Sequence, residues 1–159
     1  MTSPLEAADH VDITQCLQRY GQALDDRAWD VFDTVFTPDA SIRYEVDGRA
    51  WSVRMDELKS SSRALFEHFW WTQHIFSVPL IELSGDSARA TCRLIATHVQ
   101  VGLDGKRSCY VVYGTYRDVL TRTAAGWRIR DRHLHGVYSE GELRSGKLTQ
   151  SFASAPKPG

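Results

Sequence analysis

The chain has 159 residues, about the length of one ordinary domain, and its 42% hydrophobic and 25% charged residues are typical of a soluble folded protein. The net charge is -1 and Lys and Arg are scattered, which excludes the electrostatic footprint of a nucleic-acid-binding or membrane-surface protein. We therefore expect a hydrophobic small molecule as ligand, and neither nucleic acid nor membrane as partner.

No apolar segment approaches the roughly 20 residues that a transmembrane helix needs, and residues 1–9 lack the pattern of a signal peptide. We therefore expect a cytoplasmic protein. The cysteines are odd in number, far apart and set in apolar segments, at Cys16, Cys92 and Cys109. This pattern predicts reduced core residues, not disulfides or metal ligands.

The first helix is predicted from its start signal and from one apolar stripe. Ser3 as N-cap, Pro4 at the first helical position and Glu6 are typical of a helix start. Apolar residues then recur at intervals of three and four as far as Asp25, at Ile13, Cys16, Leu17, Tyr20 and Leu24. Tyr20 and Asp25 are therefore expected near the same helix end.

Two more helices and an early strand are predicted next. A short second helix ends at residues 37–39 (TPD) and carries Trp29, Phe32 and Phe36. A half-buried strand follows, reversed at Asp47-Gly48, with one face formed by Ile42, Tyr44 and Val46. A third amphipathic helix is indicated by Met55, Leu58, Leu65 and Phe69.

Residues 72–135 are rich in β-forming runs, with reversals predicted at Gly85-Asp86, Asp104-Gly105 and Ala125-Gly126. In one run, His98 shares a face with Ala88, Ala90, Cys92, Leu94 and Ala96. We predict a single α+β domain over residues 1–150, with three helices on one face of a strongly curved, mainly antiparallel sheet, and a flexible tail at 151–159.

Asp25 and His74 are the candidate catalytic pair. A partly buried aspartate at the end of an apolar helix needs a compensating partner. His74 begins a strand after the aromatic residues Phe69, Trp70 and Trp71, which places it at the rim of an apolar cavity. An aspartate that accepts from one imidazole nitrogen makes the other a general base. The alternative is a structural aspartate closing the helix and a surface histidine.

Four segments in order resemble nuclear transport factor 2-like enzymes: residues 20–29 (YGQALDDRAW), 36–40 (FTPDA), 72–74 (TQH) and 126–129 (GWRI). The similarity covers roughly residues 13–135. It is greatest to the subgroup containing scytalone dehydratase, bile acid 7α-dehydratase and hexachlorocyclohexane dehydrochlorinase. The resemblance implies a cone-shaped α+β fold in which Asp25 orients His74, and His74 takes a proton from carbon during β-elimination.

The same resemblance implies roles for other residues. Tyr20 matches a tyrosine one turn before the aspartate, while Tyr44 and His98 match residues that hold a water at the leaving hydroxyl. The asparagine that accompanies them in scytalone dehydratase is replaced here, near Tyr116, so leaving-group activation is expected to differ. Considered alone, His98 is expected to be a hydrogen-bonded core histidine, with catalysis as the alternative. Tyr113 and Tyr116 are expected to pack, and Trp70-Trp71 is expected to belong to a lid or to the core.

Arg132 matches an arginine on the last strand of two of these enzymes. In a regular strand, Asp131 and His133 would lie on the same face as Trp127 and Ile129, and Arg132 would lie on the opposite face. Arg132 therefore faces the pocket only if a β-bulge interrupts the alternation of the strand. Without a bulge, Arg132 is a solvated residue.

No cofactor or metal is predicted. His133 and His135 have metal-ligand spacing on a strand, but the sequence offers no evident third ligand. Neither G-x-G-x-x-G nor G-x-x-x-x-G-K-[ST] is present, so no nucleotide cofactor is implied.

Together with these residues, the resemblance implies a cofactor-independent lyase, a dehydratase acting on a cyclic, steroid-like or polyketide-like molecule. The alternatives are an isomerase or cyclase that uses the same pocket, or a non-catalytic binding or assembly module. The resemblance implies a homo-oligomer, a trimer in preference to a dimer. The C-terminal segment is predicted to be a lid or a surface strap, anchored by Val137, Tyr138, Leu143, Leu148 and Phe152.

Overall fold

The computed structural model describes residues 4–102 and 104–143. The three helices are α1 (Pro4–Asp25), a 3₁₀ helix (Trp29–Thr34) and α2 (Met55–Phe66). The strands are β1 (Phe36–Val46), β2 (Arg49–Arg54), β3 (Trp71–Phe76), β4 (Leu80–Ser84), β5 (Ser87–Val101), β6 (Arg107–Thr123) and β7 (Gly126–Glu140).

The strands form one sheet in the order β2-β1-β7-β6-β5-β3, with β4 also paired to β5. β1 and β7 run parallel, and the other neighbours run antiparallel. Register shifts interrupt the long β6–β7 ladder at two places, and such bulges increase the bend of a sheet. The α+β prediction, with helices on one face of a curved sheet, is confirmed.

The predicted apolar stripe of α1 is buried, and the contact of α1 with β3 positions the candidate site. The stripe includes a glycine for a steric reason. A Cβ at Gly21 would lie 2.9 Å from the Phe76 ring and 3.4 Å from His74 Cβ. The absence of a side chain lets the end of α1 approach β3 closely.

The predicted boundary between the second helix and the first strand is wrong. The 3₁₀ helix ends at Thr34, and Phe36 already begins β1, so Pro38 lies inside a strand. The β1–β7 pairing shifts between Phe36 and Ser41, and β2 pairs only from Ser41 onward. Pro38 therefore occupies a stretch of strand in which no ladder hydrogen bond needs its missing N–H.

The predicted reversals are found between the strands. At Asp47-Gly48 both residues have positive φ, 52° and 72°, as the tight turn of a two-residue hairpin requires. The predicted face of β5, from Ala88 to His98, is buried. All three cysteines are free, but Cys109 is exposed and is not a core residue, because it alternates with the inward-facing Tyr110.

The outer face of the sheet carries exposed apolar side chains on neighbouring strands. Ile75 on β3 pairs with Ile95 on β5, which pairs with Tyr113 on β6, and Tyr113 stacks on Tyr138 of β7. Trp70 and Trp71 are also exposed and belong neither to the core nor to the cavity wall. Within residues 4–102 and 104–143, no helix combines the length and hydropathy that a bilayer-spanning segment requires.

We expect this outer face to be covered by further copies of the chain, because burial of exposed apolar surface stabilises association. Light scattering at micromolar concentration should give a multiple of the 18.0 kDa chain, with a trimer expected. Ile95→Lys should lower the mass while circular dichroism stays unchanged, and Ser84→Lys, at an exposed strand end, is the control. An 18.0 kDa wild-type species would contradict the assembly.

Candidate active site

A cavity of about 1130 Å³ lies between the inner face of the sheet and the helices. Its polar side chains include Tyr20, Tyr44, His74, His98 and Tyr116. The surrounding apolar wall includes Leu24, Val53, Leu65, Phe66, Phe69, Leu94, Ala96, Val112 and Leu134. A large apolar chamber with a few convergent polar groups is typical of a small-molecule site.

The carboxylate of Asp25 accepts three hydrogen bonds from β3. The ring Nδ1 of His74 lies 2.7 Å from Asp25 Oδ1, and the backbone N–H of His74 donates to Oδ2 at 2.8 Å. The hydroxyl of Thr72 donates to Oδ1 at 2.9 Å. The His74 side chain is only 4% exposed, so it lies inside the cavity wall and not at the rim that the sequence predicts.

Arg27 holds the end of α1 in place. This residue has φ +59°, which ends the helix, and its side chain turns back toward it. Nη1 donates to the carbonyl oxygens of Leu24 and Asp25, both at 3.0 Å, and to the Thr72 hydroxyl at 2.8 Å. A cation at a helix C-terminus is favourable, and here it also orients the Thr72 donor. Sequence analysis missed both contributions.

Asp25 remains ionised in this setting. Burial alone would raise its pKa, but the hydrogen bonds from His74 and Thr72 lower the pKa below the usual value. Because a carboxylate only accepts, the neutral His74 ring carries its proton on Nδ1. The other nitrogen, Nε2, is then a proton acceptor on a side chain that lines the cavity.

His98 lies beside this pair, with its ring edge-on to His74 at a centroid distance of 5.5 Å. Its Nδ1 lies 3.2 Å from the backbone oxygen of Tyr110, to which it must donate. Burial, together with the neighbouring His74, lowers the pKa of His98 to about 3. His98 is therefore neutral at physiological pH and presents Nε2 as an acceptor.

Tyrosines from three elements line the cavity: Tyr20 from α1, Tyr44 from β1, and Tyr110 and Tyr116 from β6. Tyr44 interacts with Tyr20 and stacks on Trp51, with the ring centroids 5.1 Å apart. Burial raises the pKa values of Tyr44 and Tyr116 well above normal, so both keep their protons. Tyr116 contributes to the wall as well as packing, whereas Tyr113 lies on the outer face.

Arg132 is buried, and the strict alternation that places Asp131 and His133 inward is wrong. Val119 pairs with Asp131 but Leu120 pairs with Ile129, so Arg130 is the extra residue of a β-bulge. The bulge turns Arg132 to the inner face.

Arg132 contacts the cavity residues from behind. Its Nε and Nη2 each donate to Asp118 at 2.8 Å, and both side chains are 0% exposed. The guanidinium lies 4.4 Å from the Tyr20 ring and 4.1 Å from the Tyr116 ring, while Nη1 has no partner among the described residues. Asp118 raises the pKa of Arg132 although burial opposes this. Sequence analysis missed Asp118, which alternation places on the same face as Tyr116.

The start of the C-terminal segment lies at the cavity. Glu142 and Leu143 contribute to the wall, and the backbone oxygen of Glu142 accepts a hydrogen bond from the Gln100 side chain. Val137 and Tyr138 are exposed. Leu148, Phe152 and the predicted tail at 151–159 lie outside the described residues, so the choice between lid and strap stays a prediction.

The fold identifies the structural class to which the protein belongs. The structure is similar to a nuclear transport factor 2-like protein from Salmonella enterica, with a TM-score of 0.69 and 20% identity over 87% of this chain and 98% of that one. It is also similar to a candidate scytalone dehydratase from Novosphingobium aromaticivorans, with a TM-score of 0.75 and 19% identity over 87% and 91% of the two chains. The fold is that of the nuclear transport factor 2-like superfamily.

Within that superfamily, the SnoaL-like domain family matches residues 5–133, and the chain belongs to it. An uncharacterised protein of Mycobacterium tuberculosis is 31% identical over 129 residues, which are 81% of this chain and 86% of the relative. The SnoaL-like family includes enzymes such as dehydratases and cyclases.

Asp118→Asn should destabilise the protein by about 3–5 kcal/mol, because it leaves the Arg132 charge buried without its counterion. Urea unfolding measures the loss. The double variant Asp118→Leu/Arg132→Met removes both charges and should recover most of the lost stability. A single variant as stable as wild type would contradict the importance of the pair.

His98→Gln should make the free energy of unfolding less dependent on pH in the acidic range. The pKa of His98 falls from 6.5 to about 3 on folding, so the unfolded chain binds the proton first and wild-type stability decreases as pH falls through that interval. One such group contributes up to about 1.4 kcal/mol per pH unit. Urea unfolding at several pH values should show a shallower slope for the variant, whereas the exposed control His68→Gln should keep the wild-type slope. An unchanged slope in His98→Gln would count against a buried neutral histidine.

Proposed function

We propose that this protein is a cofactor-independent enzyme of the dehydratase type, in which His74 removes a proton from carbon. One observation carries the proposal: the Asp25–His74 pair, 2.7 Å apart, forms part of the wall of a cavity of about 1130 Å³. A purely structural pair would not require open space beside the imidazole. The family, with its dehydratases and cyclases, supports the same reading.

The chemistry begins at Nε2 of His74. This atom accepts a proton from a carbon next to a substrate carbonyl, and the electron pair left behind forms an enolate. The imidazolium that results is stabilised by the ionised Asp25. Expulsion of the β-hydroxyl forms the carbon–carbon double bond, and the abstracted proton balances the departing hydroxide, so that the products are an alkene and water.

Donors for the carbonyl and for the leaving oxygen come from the tyrosines. Tyr20 and Tyr44 both line the cavity, and the raised pKa of Tyr44 keeps its hydroxyl protonated. His98 is less suited to donate, because its available nitrogen accepts. We assign to His98 the task of holding a hydroxyl or water by accepting a hydrogen bond from it. Arg132 acts through the Tyr20 and Tyr116 rings that it contacts.

The walls favour a hydrophobic, ring-containing substrate. Aromatic side chains of Trp51, Phe66 and Phe69 contribute flat apolar surface, and the tyrosines and histidines contribute hydrogen-bonding groups to the same wall. A cyclic β-hydroxy ketone would place its ring against these side chains and its polar atoms against the tyrosines.

An isomerase or cyclase would share the proton abstraction and differ in the fate of the enolate. Mass spectrometry of products distinguishes them, because dehydration loses one water whereas isomerisation and cyclisation by addition conserve mass. A binding module would bind such compounds without converting them and without exchanging their carbon-bound protons for deuterium in D₂O.

Asp25→Asn and His74→Ala should each lower turnover of a β-hydroxy ketone substrate by about 10²-fold or more, because His74→Ala removes the base and Asp25→Asn removes the carboxylate that orients it. Activity is measured on a panel of cyclic β-hydroxy ketones by mass spectrometry, with circular dichroism to check folding. Asp26→Asn is the matched control, since Asp26 is the adjacent residue and is exposed. Near wild-type turnover in both dyad variants would refute the mechanism.

A further inference from the structure

On the outer face of the sheet, opposite the cavity, lies a second cluster of functional groups. It comprises Glu45 on β1 and His133 and His135 on β7. The parallel pairing sets Arg43 beside His133 and Glu45 beside His135. One carboxylate and two imidazoles therefore converge from two strands that are distant in the sequence.

We propose that Glu45, His133 and His135 form a zinc-binding site that joins β1 to β7. The proposal is independent of the function assigned to the cavity. Two histidines and one carboxylate are a ligand set that suits Zn²⁺ and leaves one position open.

The distances fit a common metal ion. Glu45 Oε2 lies 3.3 Å from His133 Nε2 and 3.8 Å from His135 Nδ1, and all three ligand atoms lie within 4.8 Å of one another. Ligands at about 2.0–2.1 Å from a tetrahedral zinc are separated by roughly 3.3 Å. Only small side-chain movements are needed to reach that spacing.

A second observation comes from His133 itself. Its Nε2 is shielded from solvent and makes no hydrogen bond within the described part of the chain, despite its proximity to Glu45. A buried ring nitrogen without a partner is unfavourable, and a metal ion would satisfy it. The His133 side chain as a whole is 29% exposed, so an ion can reach the cluster from solvent.

Nearby cations set a limit on affinity. Arg43 Nη2 lies 3.9 Å from Glu45 Oε2, and Arg117 pairs with His133 from β6. The Arg43 side chain is 58% exposed and can turn into solvent when an ion enters. Arg43→Ala should therefore tighten zinc binding.

The site would act on the cavity through the strands that it joins. Tyr44 stands between Arg43 and Glu45, and Leu134 stands between His133 and His135; Tyr44 and Leu134 are paired in register and face the cavity. An ion on the outer face would hold this pair of strands in register, and with it the wall that carries Tyr44.

Isothermal titration of the chelator-stripped full-length protein with Zn²⁺ tests the site. We expect saturable binding at micromolar or lower dissociation constant, one ion per chain, and a higher melting temperature with zinc. Glu45→Gln, His133→Gln and His135→Gln should each weaken binding at least tenfold. His68→Gln, on an exposed surface, and Asp25→Asn, in the cavity, are controls that should keep wild-type affinity. Co²⁺ should give the visible absorption of a low-symmetry site in wild type and in both controls, but not in the three ligand variants.

The absence of saturable binding up to millimolar zinc would overturn the proposal. Equal affinity in the triple variant Glu45→Gln/His133→Gln/His135→Gln, folded by circular dichroism, would also overturn it, because the ion would then bind elsewhere. Half an ion per chain, lost in the same variants, would support these ligands and indicate that a second copy completes the coordination.

Discussion

The carboxylate of Asp25 is the group on which the site depends, because it joins the end of α1 to β3. A partly buried anion requires donors, and every hydrogen bond described for its oxygens comes from Thr72 or His74. The contacts that compensate its burial also fix the tautomer and orientation of the imidazole. The hydrogen bonds that stabilise this region are therefore the ones on which the proposed chemistry relies, and Arg27 reinforces them from the helix side.

A second buried charge pair supports the other side of the chamber. Arg132 and Asp118 neutralise each other behind the cavity, and the guanidinium is covered by the rings of Tyr20 and Tyr116. The two aromatic rings lie between the ion pair and the cavity that they line. The arrangement links α1, β6 and β7, and so fixes Tyr20 relative to the sheet.

Regular periodicity explains what the sequence predicts correctly. The helical stripe places Tyr20 and Asp25 together, and the alternation of β5 places His98 inward. Alternation fails at Arg132 because one extra residue in β7 shifts the face, and no local signal marks a bulge. Pro38 predicts the end of a helix, but the structure accommodates it inside β1, where the hydrogen-bonded pairing with β7 is interrupted. Glu45 approaches His133 through parallel pairing of distant segments, which local patterns do not encode.

The parallel pairing of β1 with β7 also has a consequence for the order of folding. Ile42 pairs with Arg132, so this contact closes a very long loop, and such non-local contacts form slowly. Every donor to Asp25 described here lies before residue 75, whereas the wall beside Tyr44 needs residues 126–140. On the ribosome, the Asp25–His74 pair can be synthesised in full well before the strand that completes its chamber has emerged.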